Sequence, residues 1–286
     1  MPKYTSFTST NIIQFRNNII DFSTPKIMGI LNLSTNSFYD GGKYRSQKEI
    51  LNQCQRMINE GAEIIDIGAH SSKPGSIPID EAKERDIILP AVKLIRNSFS
   101  KVVISIDTFR SSVARDSINN GADMINDISA GSLDKYMFET IANLQVPYVI
   151  MHMQGVPENM QNNPQYENVM EQITGFLKRK LRKLKKLGAK NIIIDPGFGF
   201  GKTVNHNYKI LNNLNDLRIL DSPILVGLSR KSMIYKPLET SATNSLNGTT
   251  IAHSIAIKNG ANILRVHDVL EAKECIKILN LAKNNL

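Results

Sequence analysis

Tryptophan is absent from the 286 residues, and cysteine occurs only twice, at Cys54 and Cys275. Two thiols are too few for a disulfide framework or a zinc site, and both read as small apolar residues of a reducing compartment. Long apolar runs are missing as well: no stretch approaches the ~18 residues of a membrane span. Residues 1–25 hold isoleucines and phenylalanines broken by Gln14, Arg16, Asn17 and Asn18, which argues against a signal-peptide core. A cytoplasmic protein with no membrane partner is expected. The formal charge of +9 does not point to nucleic acid. Much of it sits in FLKRKLRKLKKLGAK (176–190), where Leu177, Leu181, Leu184 and Leu187 mark one helical face and the basic residues cover the rest. No aromatic residue interleaves with the charges, so stacking on bases has no support. A positive field of this kind helps to draw in a small anionic substrate.

Eight short apolar runs are present, each closing on a polar or charged residue. They are IMGILN ending at Asn32, EIIDIG around Asp66, VVISID ending at Asp107, DMIN ending at Asn126, PYVIMH ending at His152, NIIID ending at Asp195, ILVGLSRK ending at Lys231, and NILRVH carrying Arg265 and His267. Apolar, β-branched runs alternating with amphipathic stretches are the pattern of buried parallel strands joined by helices. Eight such units in a chain of this length predict an α/β fold, a (β/α)8 TIM barrel, which needs about 250 residues and carries its chemistry at the C-terminal ends of its strands. IIQFRNNIIDF (12–22) predicts a short N-terminal β-hairpin turning at Asn17-Asn18 and plugging the barrel bottom. The whole of 1–286 is read as one barrel domain, with 1–25 as a hairpin extension.

Strands are expected near 27–31, 63–67, 102–107, 123–126, 147–151, 191–195, 223–228 and 262–266. The helices between them are expected over 46–60, 80–97, 110–120, 133–143, 165–187, 206–214, 241–259 and 268–284. Gly61, Gly121, Gly188 and Gly260 each stand just past a helix end and before Ala, a fourfold repeat of one turn. Strand alternation puts Ile104 and Ile106 on one face and Ser105 with Asp107 on the other, so Asp107 and, by the same logic, Asp195 look into the mouth. Buried carboxylates with no adjacent cation in sequence are costly unless a ligand, a helix end or loop amides satisfy them. Long Gly/Ser/Asn-rich segments follow the first two strands (32–44 and 68–79), and loops of that length are commonly functional lids.

DPGFGFGKT (195–203) is not a phosphate loop, because Pro196 stands where the Walker pattern requires glycine. Its glycines permit a sharp turn that exposes Phe198 and Phe200, either of which can pack on a flat ligand or enter the core. GLSRKSM (227–233) and RVHDV (265–269) bring Ser229, Arg230, Lys231, Ser232, Arg265, His267 and Asp268 to the rim usually used for phosphate. Facing Asp107, Asn126 and Asp195, they describe a mouth with acceptors on one side and cations on the other. Acceptors of that kind suit a flat heterocycle with amino and ring N–H donors, and the cations suit a diphosphate.

MGILNLSTNSFYDGG, DIGAHSSKPG, SIDTFR, NDIS, MHMQG, IDPGFGFGKT, GLSRKS and RVHDV, in that order, resemble the dihydropteroate synthase family of folate synthesis from about residue 26 to 275. The resemblance implies that Asp107, Asn126, Asp195 and Lys231 bind a pterin, with Met151 lining the pocket. It implies that Asn32, Arg265, His267 and Lys73 hold a diphosphate, with Asn32 on Mg2+. Phe38, Ser72, Lys73, Pro74, Phe200, Lys231 and Ser232 then form the p-aminobenzoate side, and Asp107, Asp195, Lys231, Arg265 and His267 are the catalytic set. A homodimer and inhibition by sulfonamides, which mimic p-aminobenzoate, are implied too. The chain departs from the family pattern in its loops: Ser34, Thr35 and Asn36 replace Thr-Pro-Asp, Lys73 replaces Arg, Ser72 replaces Thr, and His70 stands where an acid is frequent. These changes free the backbone and remove a bidentate fork and a carboxylate on the amine side, where sulfonamide affinity would change. Three readings remain: an active synthase, a pterin-binding paralogue without turnover, and a methyltransferase acting on a methylated folate. The last has no diphosphate for Arg265 and His267 to hold.

Overall fold

The computed structural model describes residues 12–15, 18–33, 46–69, 79–156 and 159–284. β1 (Ile12–Phe15) and β2 (Asn18–Asp21) form an antiparallel hairpin. Asn18, expected in the turn, belongs to β2 and is paired with Phe15.

The barrel follows as β3 (Lys26–Asn32), α1 (Gln47–Glu60), β4 (Ile64–Gly68), α2 (Glu81–Ser98), β5 (Val103–Asp107), α3 (Ser111–Asn119), β6 (Met124–Asp127) and α4 (Met137–Leu144). It continues with β7 (Tyr148–Met151), α5 (Val169–Lys186), β8 (Ile192–Asp195), α6 (Val204–Asn212), a 3-10 turn (Leu214–Leu220), β9 (Leu225–Val226), α7 (Ser232–Tyr235), α8 (Leu246–Lys258), β10 (Ile263–Val266) and α9 (Val269–Asn284). One parallel sheet runs β8-β7-β6-β5-β4-β3-β10-β9, and a bridge from Ile194 to Ile224 brings its two ends together. The eight expected strands are therefore all present. β9 is the shortest, because Gly227 and the residues after it turn away to carry Lys231.

Period-two alternation sorts the strand side chains into two layers. Ile65, Ile67, Ile104, Ile106, Ile125, Ile150 and Ile194 pack under the helices. Met28, Ile64, Met124, Val149, Ile193, Leu225 and Ile263 fill the inside, where Ile13, Ile20 and Phe22 of the hairpin segment join them. The hairpin thus does close the barrel bottom. Helix ends follow local chemistry: Ser46 and Glu49 make a reciprocal cap for α1, and Asp80 accepts from the Lys83 amide at the start of α2. The four expected glycines all take left-handed conformations beyond helix ends.

Three details differ from the sequence expectation. Leu177, Leu181 and Leu184 are buried along α5, but Leu187 lies past the helix end and is 45% exposed. The stretch after α6 winds as a 3-10 turn, which lets Leu214, Leu217 and Leu220 reach the core at a spacing of three. Ser232–Tyr235 forms an additional short helix with Lys231 at its N-cap position. No described helix is long and apolar enough to cross a membrane.

Because Phe22 is 3% exposed within the inner layer, Phe22→Ala is expected to lower unfolding free energy in urea by about 3–5 kcal/mol. Unchanged stability would mean that the hairpin is only laid against the barrel.

Candidate active site

The C-terminal ends of the strands form a polar mouth over the apolar interior. Asn32, Gly68, Asp107 and Asn126 fall in one row across β3, β4, β5 and β6. A second row, two residues earlier along these strands, carries Asp66 opposite Ser105. Alternation gives both rows the same inward face, which is why a strand of isoleucines carries an isolated aspartate at position 66.

Arg265 of β10 crosses to these rows. Its Nε donates to Asp66 Oδ2 at 2.7 Å and its Nη2 to Asp107 Oδ2 at 2.8 Å. Asp66 also accepts from Ser105 Oγ at 2.6 Å and Asn126 Nδ2 at 3.0 Å. The two sides of the mouth are thus not held apart as the sequence suggests: the arginine lies among the carboxylates, and the burial cost of Asp107 is met by a residue 158 positions away. Both carboxylates hold the Arg265 pKa above its ordinary value against the effect of burial.

Asp195 closes β8 at 6% exposure, and its Oδ1 accepts from the Gly197 amide at 2.7 Å. Burial pushes its pKa up, with Lys231 the foremost charge opposing that shift. Met151, 4% exposed, is its neighbour in register on β7. The turn after Asp195 folds tightly on the segment after β7. A side chain at Gly197, where φ is +72°, would collide with the carbonyl oxygen of His152, so glycine is required there. Phe198 is fully buried in the outer core, whereas Phe200 is only half-buried, with Lys231 Nζ 4.7 Å above its ring centre. Of the two aromatics, Phe198 is therefore core and Phe200 is the one at the site. Lys231 also donates to the Phe198 carbonyl. Burial lowers the Lys231 pKa to about 8, with Asp195 pulling it back up. Ser232, the first residue of α7, follows directly and is half-buried.

Lys202, missed as a site residue at the sequence level, stands beneath this turn. Its 3%-exposed ammonium donates to the carbonyls of Gly197 at 2.8 Å, Phe200 at 2.9 Å and His152 at 3.2 Å, and lies 3.1 Å from His152 Nδ1. Burial drives its pKa well below the usual lysine value, opposed by Asp195. Burial and the Lys202 charge push His152 down to about 3, so its ring stays neutral and Nδ1 accepts. Lys202 thus ties the post-β7 and post-β8 segments together.

His267 lies beside Ser229: Nδ1 is 3.2 Å from Ser229 Oγ, which also accepts from the His267 amide at 3.3 Å. Arg230, grouped with the rim cations from sequence, turns away. Its Nε and Nη2 pair with Asp268 at 2.8 and 2.9 Å, and its Nη1 caps carbonyls of Ala242 and Thr243. Phe38, Ser72, Lys73 and Pro74, with the substituted loop positions 34–36 and 70, lie outside the described residues. Asp66, Ser105 and Lys202 are the residues that sequence reasoning left out. The two-residue spacing that puts Ser105 on the face of Asp107, and an aspartate inside the isoleucine run 64–67, were the signals available for the first two.

Among the described residues no cluster of three or more His, Cys, Asp or Glu could hold a metal by itself. The half-buried amide of Asn32 at the end of β3 is a hard oxygen donor of the kind Mg2+ accepts alongside phosphate oxygens and water.

Residues 28–267 match the family model described as pterin binding enzyme. Dihydropteroate synthase of Haemophilus influenzae is 42% identical over 270 residues, covering 94% of this chain and 98% of that protein. The structure of Yersinia pestis dihydropteroate synthase with a sulfonamide drug complex superposes with a TM-score of 0.92 at 37% identity, covering 96% of this chain and 99% of that one. The Xanthomonas albilineans enzyme with 4-aminobenzoic acid gives a TM-score of 0.88 at 31% identity, covering 96% and 98%. A barrel with this mouth and relatives this similar along nearly their whole length leave one assignment: the chain belongs to the dihydropteroate synthase family of pterin-binding enzymes of folate synthesis.

Proposed function

We propose that the protein is an alkyl-group transferase joining the methylene of 7,8-dihydropterin diphosphate to the amine of p-aminobenzoate. The C–O bond to diphosphate breaks, a C–N bond forms, the anilinium proton passes to solvent, and dihydropteroate and pyrophosphate leave. The observation that carries this reading is the convergence of Asp107, Asn126 and Asp195 with Lys231 in one buried mouth. Acceptors face the amino and ring N–H groups of a pterin, and Lys231 offers a donor to its carbonyl edge.

An aniline nitrogen is neutral at pH 7, so the nucleophile needs no strong base. Breaking the C–O bond is the harder step. Arg265 and His267 stabilise the departing diphosphate, and the nearby carboxylates stabilise positive charge growing on the methylene. Asn32 would hold Mg2+, which supplies further charge neutralisation on the leaving group. Phe200, Lys231 and Ser232 form the described part of the p-aminobenzoate side, and sulfonamides compete there. The substitution is largely dissociative; a secondary deuterium isotope effect near unity at the methylene would count against that.

The experiment mixes protein, dihydropterin diphosphate, p-aminobenzoate and Mg2+, and follows pyrophosphate and dihydropteroate. Product is expected, with Asp107→Ala reducing turnover at least about 10²-fold. Tight pterin binding without product would identify a paralogue that has lost turnover, and no pterin binding would discard the reading.

Lys231 sets a pH dependence. With its pKa near 8 it is a cation at neutral pH and loses its charge as pH rises through that value. kcat/KM for the pterin diphosphate is therefore expected to fall above about pH 8, and Lys231→Arg, which does not titrate there, should flatten that limb. A parent profile flat from pH 7 to 9.5 would contradict the assignment.

A homodimer is part of the same proposal. Leu270, Ile278 and Leu281 run along one side of α9 with 47%, 66% and 56% exposure, and Ile251 of the adjacent α8 is 55% exposed. Sedimentation should give twice the 32.0 kDa chain mass, and Ile278→Glu should shift it towards one.

A further inference from the structure

Asp66 has no exposed surface and is enclosed by protein donors. Its oxygens receive Ser105 Oγ of β5, Asn126 Nδ2 of β6 and Arg265 Nε of β10, so three strands meet on one carboxylate. Two consequences follow from that geometry. First, Asn126 commits one amide N–H to Asp66, which fixes the direction of the side chain and leaves its carbonyl oxygen as an acceptor to offer a bound heterocycle. Second, Arg265 meets two carboxylates, Asp66 and Asp107, so its single positive charge is more than balanced before any anion arrives.

We propose that Asp66 is a positioning residue that acts in two ways. It fixes the direction of Asn126, and it tempers the grip of Arg265 on diphosphate. A guanidinium free of the second carboxylate would hold the pyrophosphate product harder. Asp66 keeps Arg265 aligned for the departing group yet weak enough to let it go. This proposal rests on the synthase reading above.

The test compares calorimetric binding of pyrophosphate and of hydroxymethyl-dihydropterin by the parent protein, Asp66→Asn and Ser105→Ala. Asp66→Asn removes one negative charge beside Arg265 while keeping the side-chain shape. Pyrophosphate should bind about tenfold tighter and the pterin about tenfold weaker, effects of opposite sign that general loosening of the mouth would not produce. Ser105→Ala leaves the Asp66 charge but removes a hydrogen bond that disperses it, so pyrophosphate should bind about two- to threefold weaker. Should Asp66→Asn fail to fold, Ser105→Ala decides the matter, because the Asp66–Asn126 bond survives in it and pterin binding should stay unchanged while pyrophosphate binding weakens, whereas general loosening would weaken both. Pyrophosphate binding that weakens or stays unchanged in Asp66→Asn, or that stays unchanged or tightens in Ser105→Ala, overturns the role of Asp66. A parent protein that binds neither probe overturns the synthase reading, and this proposal with it.

Discussion

Arg265 makes the mouth of this barrel possible. Asp66, Asp107 and Asp195 stand at or below 8% exposure on neighbouring or facing strands, and carboxylates so placed would otherwise protonate or unfold the rim. A guanidinium suits this position because its planar fork reaches two carboxylates at once from one strand. Asp195, beyond that fork, is answered by Lys231 and Lys202 instead. The described centre thus sets Asp66 and Asp107 against Arg265, and Asp195 chiefly against Lys231, so that each carboxylate has a cation to answer it.

The buried cations divide the labour. Lys202 is saturated by backbone carbonyls and the His152 ring and has no reach into the mouth; it acts as an internal strut for the glycine turn. That turn in turn supplies the Phe198 carbonyl and the Phe200 ring on which Lys231 rests. Lys231 is consequently held by one hydrogen bond and a ring face, with donor capacity left for a ligand. The same residue type is a strut in one place and a rim group open to a ligand in the other, and the number of acceptors around each distinguishes them.

Much of this was legible in the chain. Each barrel strand announces itself as an apolar run with a polar end, and period two alone placed Asp107 and Asp195 in the mouth and the isoleucines beneath the helices. The helices expected from 46 and 80 start within one residue of those positions, where Ser46 and Asp80 cap them. What was not legible is non-local. Asp107 looks unpartnered in sequence because its cation comes from β10, and Arg230 looks like a rim cation because its partner Asp268 is 38 residues on. Asp66 was visible as a strand-end aspartate, but its importance lies in register with Ser105 and in Arg265, and register is a property of the closed sheet. The 3-10 turn at Leu214–Leu220 escaped for a different reason: its spacing of three is too close to helical spacing for pattern to separate them.

The two ends of the barrel obey opposite demands, and the β3–β6 rows show how one sheet meets both. At the bottom, Met28 and Ile64 meet Ile13, Ile20 and Phe22 in an apolar plug with nothing polar to satisfy. Two residues further along β4 and β5, on the same inward face, Asp66 and Ser105 begin the polar network, and two more bring Gly68 and Asp107. No loop or second domain intervenes between core and chemistry. The transition is made within a single strand, so the apolar layer directly beneath lowers the local dielectric under the carboxylates and strengthens every contact they make. A water-filled bottom would weaken the hold of Asp66 on Arg265 and Asn126. The N-terminal hairpin, remote from any reacting atom, therefore contributes to the site by keeping that floor dry.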